Sequence, residues 1–270
     1  MGKVIGICNQ KGGTGKTTTA VNLSAFLGLA GKKVLLIDMD PQANATSGVG
    51  VEKRNPNIYE CLIENLDFRE VITKTEFPNL WIIPANESLS GARVELIEVE
   101  NREFRLKMIT QTLKEDFDFL IIDAPPSLGI LTINVLTCAD SVLIPLQCEY
   151  YSLEGIGQLM NTINLVKKNL NPDLEIEGVI MTMADFRTTL TQEVILEVRK
   201  FFKEKVFKTI IPRNVKLAEA PSFGKPVYFY DKNSTGSKAY FKLTKELLNE
   251  EIEGVYNEEK IGQRVAGFNT

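Results

Sequence analysis

The sequence predicts an α/β fold with a doubly wound, mostly parallel sheet flanked by helices. Three observations support this prediction. Short runs that are apolar on both faces recur along the chain, helical patterns stand between them, and a glycine-rich turn follows the first run. Such runs are typical of strands covered on both sides of a parallel sheet. The 270 residues are enough to bury a sizeable core.

Predicted strands and helices alternate along the chain. The strands are VIGIC (4–8), KVLLID (33–38), LWIIPA (80–85), DFLIID (118–123), SVLIPL (141–146), EGVIMTM (177–183) and VFKTIIP (206–212). The first helix is expected to begin at Lys16 and to stop at Gly31, because glycine readily adopts the left-handed conformation that closes a helix. Other helices are predicted near 101–116, 152–169, 189–205 and 237–252. We expect one domain over residues 1–252, an exposed loop at VEKRNPN (51–57) and a flexible C-terminal tail over residues 253–270.

The composition indicates a cytoplasmic protein that works without histidine. No run of about 18 apolar residues occurs, and the first strand begins without the charged and apolar leader of a secretory signal. Scattered cysteines favour buried thiols over a disulfide framework or a zinc site; they are Cys8, Cys61, Cys138 and Cys148. Because histidine is absent, any chemistry must rest on carboxylates, lysines and a hard cation such as Mg²⁺.

Charge is distributed unevenly along the chain. The net charge is -4, yet residues 199–245 contain twelve lysines and arginines against three acidic residues. This segment therefore carries +9 and the remainder carries -13. One interpretation is a surface that attracts nucleic acid, and the other is a set of solvated helix faces rich in lysine.

The segment NQKGGTGKTTTAVNL (9–23) carries the clearest chemical signal. A strand, a glycine-rich turn and a helix bring successive backbone N–H groups and the positive end of the helix to one point, which suits a phosphate group. Lys16 would reach the β- and γ-phosphates of a nucleotide, and the Thr17 hydroxyl would ligate Mg²⁺. The alternative is that the glycines only form a tight turn. The residues assigned to the nucleotide are Gly12, Gly13, Thr14, Gly15, Lys16, Thr17 and Thr18.

This motif departs from the standard phosphate loop at one position and adds a second lysine. The standard pattern is glycine, any four residues, glycine, lysine and then serine or threonine, which would place a glycine where this chain has Gln10. The added lysine, Lys11, lies five residues before Lys16. The motif by itself leaves open whether Lys11 replaces the missing glycine or adds a function.

Three aspartates follow predicted strands. Asp38 and Asp40 lie in VLLIDMDPQ, and Asp123 ends FLIID. Because the carboxyl ends of parallel strands meet at one edge of a sheet, we expect all three side chains beside the glycine-rich turn. Asp123 is placed to hold Mg²⁺ through water, and one of Asp38 and Asp40 would orient the metal shell while the other orients a water. A single aspartate at a strand end is more often a cap or turn residue, but three beside a phosphate loop indicate an active centre.

Several segments resemble one family of nucleotide-binding proteins. KGGTGKTT (11–18) looks like the deviant Walker A motif of the ParA and MinD group of ATPases, and DMDPQANATSG with DAPPSLG resembles their two switch segments. LIPLQCEYYSLEG, TMADFRTTL and IPRNVKLAEAPSFGKPV look specifically like the Soj/ParA partitioning ATPases. The resemblance covers about residues 2 to 250.

The resemblance implies a function for the second lysine. In this family the earlier lysine reaches across a nucleotide sandwich dimer to the partner's phosphates, so Lys11 is expected to act in trans, as an arginine finger does. The catalytic residues implied are Lys11, Lys16 and Asp40, with Asp40 positioning the attacking water. Residues around Pro212 and Asn214 are implied as adenine contacts. ATP and Mg²⁺ are the implied ligands.

The resemblance also implies an ATP-dependent dimeric switch in chromosome or plasmid partitioning. Its ATP hydrolysis is expected to be slow and stimulated by a ParB-like centromere-binding partner. The closed homodimer is expected to bind double-stranded DNA without sequence preference, so the protein would be associated with the nucleoid. Arg187 and Lys216 are the leading DNA contacts by resemblance, and Arg213 and Lys242 are candidates from charge alone. Lys216 stands where relatives often have arginine, which keeps the charge but loses the planar fork.

Other functional classes fit the sequence less well. A MinD-like membrane anchor needs a lysine-rich amphipathic end, whereas this chain ends LNEEIEGVYNEEKIGQRVAGFNT, so no membrane partner is expected. An iron–sulfur reductase needs cysteines that converge on a cluster, and no suitably spaced pair occurs. An N-terminal helix-turn-helix domain is not expected, because the first strand begins at Lys3. The alternative that stays open is an ATP-using enzyme for a small molecule, with an incidental basic surface.

Overall fold

The computed structural model describes residues 1–149, 152–252 and 255–256. The strands in these ranges are β1 (Lys3–Ile7), β2 (Val34–Asp38), β3 (Thr73–Lys74), β4 (Leu80–Ile83), β5 (Phe119–Asp123), β6 (Ser141–Gln147), β7 (Glu175–Ala184) and β8 (Val206–Pro212). They form one sheet in the order β3-β4-β2-β5-β1-β6-β7-β8. Neighbouring strands are parallel except for β3 and β4. The predicted doubly wound, mostly parallel sheet is confirmed.

The seven predicted strands are all present, with ends that differ from the prediction by at most two residues. The sequence did not predict β3, because two residues at an antiparallel edge are too short to show a pattern.

Helices cover both faces of the sheet. Within the described ranges they are α1 (Lys16–Leu29), α2 (Asn44–Gly48), α3 (Ile58–Ile63), α4 (Ala92–Glu95), α5 (Arg105–Leu113), α6 (Ile130–Cys138), α7 (Ser152–Asn169), α8 (Thr189–Phe202), α9 (Val215–Glu219), α10 (Val227–Asp231) and α11 (Thr235–Leu248). The predicted start of α1 at Lys16 is confirmed, and Gly31 has the expected positive φ, 81°.

The bounds of three helices differ from the prediction. α8 ends at Phe202, because a 3₁₀ turn at Lys203–Lys205 follows it. The last helix begins at Thr235, because the Ser234 hydroxyl accepts a hydrogen bond from the Ser237 N–H, and it ends before Asn249, which is left-handed. The helix predicted over 101–116 is shorter, since a 3₁₀ turn at Arg102–Phe104 precedes α5.

Apolar residues fill layers on both sides of the sheet. Along β5, Leu120 and Ile122 belong to one layer and Ile121 to the other, which explains why the strand sequences are apolar throughout. The layer containing Leu120 packs under α3 and α5 to α8, and the other packs under α1 and α11. As predicted, the four cysteines are buried free thiols.

The structure agrees only in part with the predictions for the exposed loop, the domain and the C-terminal tail. Residues 52–56 of the predicted loop are exposed, but Asn57 is buried, because its side chain caps α3 by accepting the Tyr59 N–H at 3.0 Å. The continuous sheet supports the proposal that residues 1–252 form one domain. The predicted tail over 253–270 lies outside the described residues except for Val255 and Tyr256. Within the described ranges no helix is long and apolar enough to span a bilayer.

Candidate functional site

The carboxyl ends of three strands meet at one edge of the sheet. β5 lies between β1 and β2, and its register places Asp123 beside Ile7 on one side and beside Asp38 on the other. Neighbouring strands lie about 4.8 Å apart. The turn that follows β1 therefore begins next to Asp123, and Asp38 lies one strand further along the same edge.

The glycine-rich turn is shaped by its own backbone and by two neighbouring strands. Gly13 and Gly15 have φ angles of 74° and 86°, which residues other than glycine rarely adopt. Gln147 Nε2 of β6 donates to the Gly13 carbonyl at 2.7 Å, and Thr182 Oγ1 of β7 donates to the Thr14 carbonyl at 2.9 Å. The protein itself therefore sets the shape of the turn.

The start of α1 offers an anion site. Gly15 caps this 14-residue helix, and within the described residues the cap provides no side-chain acceptor for the first N–H groups. A Cβ added at Gly12 would meet nothing within 4 Å, so there is space beside the turn. Thr17 and Thr18 line a cavity of about 390 Å³ together with Lys225. Free N–H groups, a helix dipole and open space fit a phosphate group.

Lys16 is a buried cation at this point. The residue is only 6% exposed, and its Nζ donates to the Lys11 carbonyl at 3.0 Å. Burial lowers the pKa of Lys16, and the nearby carboxylate of Asp123 opposes that effect. An anion binds an ammonium more strongly than a neutral carbonyl does. A phosphate could therefore replace the Lys11 carbonyl as the partner of Lys16.

Asp123 is buried without a hydrogen-bond partner. The residue is 0% exposed, and neither carboxyl oxygen accepts a hydrogen bond from any described group. Burial raises the pKa of Asp123 well above its usual range, and the charge of Asp38 raises it further. The Thr17 hydroxyl is close enough to lower this pKa but does not reach hydrogen-bonding geometry. Because a buried carboxylate is costly without a partner, a cation here would stabilise it.

Asp38 is equally buried but is fully hydrogen-bonded. Its Oδ2 accepts from the Thr46 N–H at 2.8 Å and from the Thr46 hydroxyl at 2.7 Å, and its Oδ1 accepts from the Asp40 N–H at 3.1 Å. Burial raises the pKa of Asp38 to about 6, and the bonds from Thr46 limit the rise. Asp40, 6% exposed, accepts the Gln42 N–H at 3.0 Å. Thr46 was not predicted from the sequence.

The donor atoms fit Mg²⁺ when a phosphate supplies further ligands. Among the described residues, no group of three or more Cys, Asp or Glu side chains is arranged to hold a metal ion alone. Mg²⁺ usually keeps several waters and binds one or two carboxylates together with substrate phosphates. The predicted ligands Thr17, Asp38 and Asp123 provide one hydroxyl and two carboxylates beside the turn, and the unpaired oxygens of Asp123 suit such an ion.

Lys11 faces a different environment from Lys16. Its Nζ lies 3.3 Å from Glu149 Oε2, and the two side chains are 36% and 47% exposed. The preceding residue, Gln10, donates from Nε2 to the Gly155 carbonyl at 2.9 Å. The two positions that depart from the standard motif thus both contact the segment after β6. The sequence reasoning missed Glu149, because its contact with Lys11 depends on β6 lying next to β1 in the sheet.

The predicted adenine contacts lie at the end of β8, which β6 and β7 separate from β1. Pro212 ends β8 and pairs with Ala184 of β7, two residues beyond the Thr182 that holds the turn. Asn214 caps α9 by accepting the Lys216 N–H at 3.0 Å. Among the described hydrogen bonds, none joins Pro212 or Asn214 to the glycine-rich turn.

Arg187 and Arg213, two of the predicted DNA contacts, flank one carboxylate. Arg187 donates through Nε and Nη2 to the Oδ1 and Oδ2 of Asp185, at 2.8 Å and 2.6 Å. These hydrogen bonds lower the pKa of Asp185 to about 2, with a small further effect from Arg213.

Lys216 and Lys242 lie on other elements. Lys216 Nζ is 2.9 Å from Glu219 Oε2 and 5.5 Å from the ring centroid of Tyr230. Lys242, on α11, lines a cavity of about 560 Å³ together with Phe186, the neighbour of Arg187. Two of the four candidates, Arg187 and Lys216, are therefore paired with carboxylates of the same chain.

Comparison with known proteins identifies the family. A family model described as an AAA domain matches residues 2–176. The sporulation initiation inhibitor protein Soj of Bacillus subtilis is 55% identical over 249 residues, which are 92% of this chain and 98% of the relative. The chain belongs to the ParA/Soj family of partitioning ATPases.

Two solved structures share the fold. A putative plasmid partition protein from Borrelia burgdorferi B31, bound to AMPPNP, has a TM-score of 0.76 and 31% identity, over 92% of this chain and 98% of its own. Cobyrinic acid a,c-diamide synthase from Mycobacterium smegmatis, with bound ADP and magnesium, has a TM-score of 0.81 and 36% identity, over 92% of this chain and 95% of its own.

Proposed function

We propose that this ParA/Soj family member is an ATP-dependent dimeric switch for partitioning a chromosome or a plasmid. Each subunit binds ATP and Mg²⁺, two subunits close around the nucleotides, and the closed homodimer binds DNA without sequence preference. A ParB-like partner triggers hydrolysis and release. The observation that carries the proposal is the buried Lys16 beside the unpaired carboxylate of Asp123 at the glycine-rich turn, in a chain 55% identical to Soj.

The nucleotide is held by groups that the fold already positions. Lys16 exchanges the Lys11 carbonyl for phosphate oxygens, and the N–H groups at the start of α1 bind the same phosphates. Thr17, Asp38 and Asp123 hold Mg²⁺, which neutralises phosphate charge when bound. Relatives with bound AMPPNP, and with ADP and magnesium, support this choice of ligands.

Hydrolysis uses one residue from each subunit. Asp40 orients the attacking water. Its backbone N–H donates to Asp38 Oδ1 and its own Oδ1 accepts the Gln42 N–H, and these two contacts suit a positioning function. Lys11 of the opposite subunit stabilises charge that develops on the transferred phosphoryl group, so turnover requires a dimer. This chemistry needs no histidine, and the chain has none.

DNA affinity depends on dimerisation in this proposal. Each phosphate neutralised contributes about 0.9 to the slope of binding against salt, so doubling the number of neutralised phosphates roughly doubles that slope. Arg187 and Lys216 are the leading DNA-binding residues, with Arg213 and Lys242 as weaker candidates. In a cell the closed dimer would be cytoplasmic and associated with the nucleoid.

A second candidate function has a specific observation in its favour. The cobyrinic acid a,c-diamide synthase structure shares the fold at 36% identity, and its name denotes an enzyme that acts on a small molecule. The 55% identity to Soj favours partitioning.

The deciding experiment measures ATP turnover of the purified chain with four additions: none, duplex DNA, a centromere-binding protein encoded beside it, and both together. The Lys16→Ala variant gives the background. The proposal expects the largest rate with both additions. If ATP turnover rises with a small-molecule carboxylic acid that can be converted to an amide, and does not change with DNA or the partner protein, the result would support the second candidate.

A further inference from the structure

We propose that Glu149 is a counter-ion for Lys11 within the same subunit, and that it restrains the Lys11 ammonium until a second nucleotide-bound subunit offers its phosphates. Glu149 is thus a positioning residue that opposes premature closure of the dimer. The inference rests on the proposed function, because it presupposes that Lys11 acts in trans.

The geometry around Lys11 supports this function. Glu149 Oε2, 3.3 Å away, is the polar contact of the Lys11 ammonium among the described residues. The Lys11 backbone N–H donates to Asn9 Oδ1 at 3.0 Å. Both ends of the residue are therefore anchored within its own subunit.

Lys11 is also connected to the predicted phosphate site. Its carbonyl accepts the Lys16 ammonium at 3.0 Å. When Lys16 turns to a phosphate, this backbone hydrogen bond breaks while the side-chain pair with Glu149 persists. Nucleotide binding thus weakens the hold on Lys11 by one hydrogen bond, and the Glu149 pair becomes the remaining side-chain restraint.

Glu149 is held beside the turn by contacts on either side of it in the sequence. Gln147, two residues before, donates to the Gly13 carbonyl at 2.7 Å. Gly155, six residues after, accepts from Gln10 at 2.9 Å. Hydrogen bonds already join the two segments that carry Lys11 and Glu149. The distance between the Lys11 ammonium and the Glu149 carboxylate therefore does not depend on the two side chains alone.

The strength of the pair suits a contact that must break. Both side chains are more than a third exposed, and exposed pairs change an equilibrium by about two- to fivefold. A much stronger pair would prevent Lys11 from reaching a partner. A pair of this strength raises the protein concentration that dimerisation requires, but dimers still form.

The first test uses the nucleotide-free protein and Glu149→Gln. An amine-selective acylating reagent is applied, and the modification rate of Lys11 is followed by mass spectrometry. Loss of the pair should raise that rate about two- to fivefold. The control is Glu197→Gln, which breaks another exposed pair, with Lys200 at 2.5 Å on α8, and should leave Lys11 unchanged. An unchanged Lys11 rate in Glu149→Gln would overturn the inference.

The second test measures dimerisation by sedimentation with Mg²⁺ and a non-hydrolysable ATP analogue. Glu149→Gln should tighten the dimer about two- to fivefold in the wild-type background and not at all in Lys11→Ala. An equal gain in both backgrounds would mean that Glu149 acts through its charge alone, and this result, or no gain, would overturn the inference.

The failure of this inference is distinguishable from failure of the proposed function. If Lys11→Ala alone dimerises and hydrolyses ATP like the wild type, the trans function of Lys11 is wrong. If Lys11→Ala loses hydrolysis and dimerises more weakly while Glu149→Gln behaves like the wild type, only the counter-ion function is wrong.

Discussion

Asp38 and Asp123 lie opposite each other at the ends of two adjacent parallel strands, yet only Asp38 is hydrogen-bonded. Both residues are completely buried. Three donors from Thr46 and Asp40 fix the Asp38 carboxylate, whereas Asp123 has both oxygens unpaired. The protein therefore fixes Asp38 in place before any Mg²⁺ binds, and Asp123 keeps both of its oxygens for the cation.

The first prediction compares Asp123→Asn with Asp38→Asn in the absence of Mg²⁺ and nucleotide. Folding takes the Asp123 carboxyl out of water without a hydrogen-bond partner, whether it stays ionised or takes up a proton, so Asp123→Asn should raise the free energy of unfolding at pH 8 by at least about 1 kcal/mol. Asp38→Asn places an amide donor against the donors of Thr46 and should lower it by about 1 to 3 kcal/mol. Urea denaturation followed by circular dichroism measures both. A loss of stability in Asp123→Asn would contradict this assignment.

The same comparison should depend on pH. The folded-state pKa of Asp123 is raised above its unfolded value, so the folded protein binds a proton more tightly than the unfolded chain does. The wild type should therefore gain stability as the pH falls through the raised pKa, and the advantage of Asp123→Asn should shrink between pH 8 and pH 5. The charge of Asp38 contributes to the raised pKa of Asp123, so the pH dependence reports on the two carboxyl groups together.

The second prediction concerns Lys16. Lys16→Ala should abolish ATP binding, because the variant lacks the buried ammonium at the start of α1. Isothermal titration calorimetry measures the affinity, and Lys74→Ala, at the far edge of the sheet, is the matched control. Undiminished affinity in Lys16→Ala would show that the phosphate site lies elsewhere.

The third prediction is that Asp40→Ala traps an ATP-bound dimer. The carboxylate is expected to orient water and not to hold the nucleotide, so binding should survive while turnover is lost. Size-exclusion chromatography with light scattering, in ATP and Mg²⁺, should show a dimer that persists. A variant that stays monomeric where the wild type dimerises is the contradictory result.

The fourth prediction concerns DNA. Replacing Arg187 or Lys216 by Glu should weaken binding equally on all duplex sequences and reduce the salt slope by about 0.9 for each DNA phosphate that is no longer neutralised. ATP-driven dimerisation should survive both changes. Lys74→Glu, on β3 at the opposite edge of the sheet from β8, changes the charge equally and should leave DNA affinity close to the wild type. Unchanged binding by the Arg187 and Lys216 double variant would remove these two residues from the DNA surface.

The fold was largely predictable because parallel strands covered on both sides leave a distinctive pattern. The runs at 118–123 and 33–38 are apolar throughout, and their last residues, Asp123 and Asp38, meet at one edge as predicted. The sequence analysis did not predict α6, because this helix leaves no distinctive pattern. Ile130–Cys138 is buried around most of its surface, so it lacks the amphipathic pattern that reveals a helix.

The candidate site was predictable only where the motif is local. The glycine-rich turn and Lys16 lie in one continuous segment, whereas the residues that contact the turn from β6, from β7 and from the segment after β6 are more than 130 residues away; they are Gln147, Thr182 and Glu149. No local pattern indicates such contacts, because they depend on strand order and register. The functions of Lys11, Asp40, Pro212 and Asn214 rest on family resemblance and remain predictions.

The most direct test of the account is a mixing experiment with Lys11→Ala and Asp40→Ala. Each variant alone should be inactive in ATP hydrolysis. A mixed dimer contains one site with its own Asp40 and an intact Lys11 from the opposite subunit, so mixing should restore turnover, with a maximum near equal amounts of the two chains. Heterodimer formation is verified by co-purification through two different affinity tags. If heterodimers form and the mixture stays as inactive as either variant alone, Lys11 does not act across the dimer.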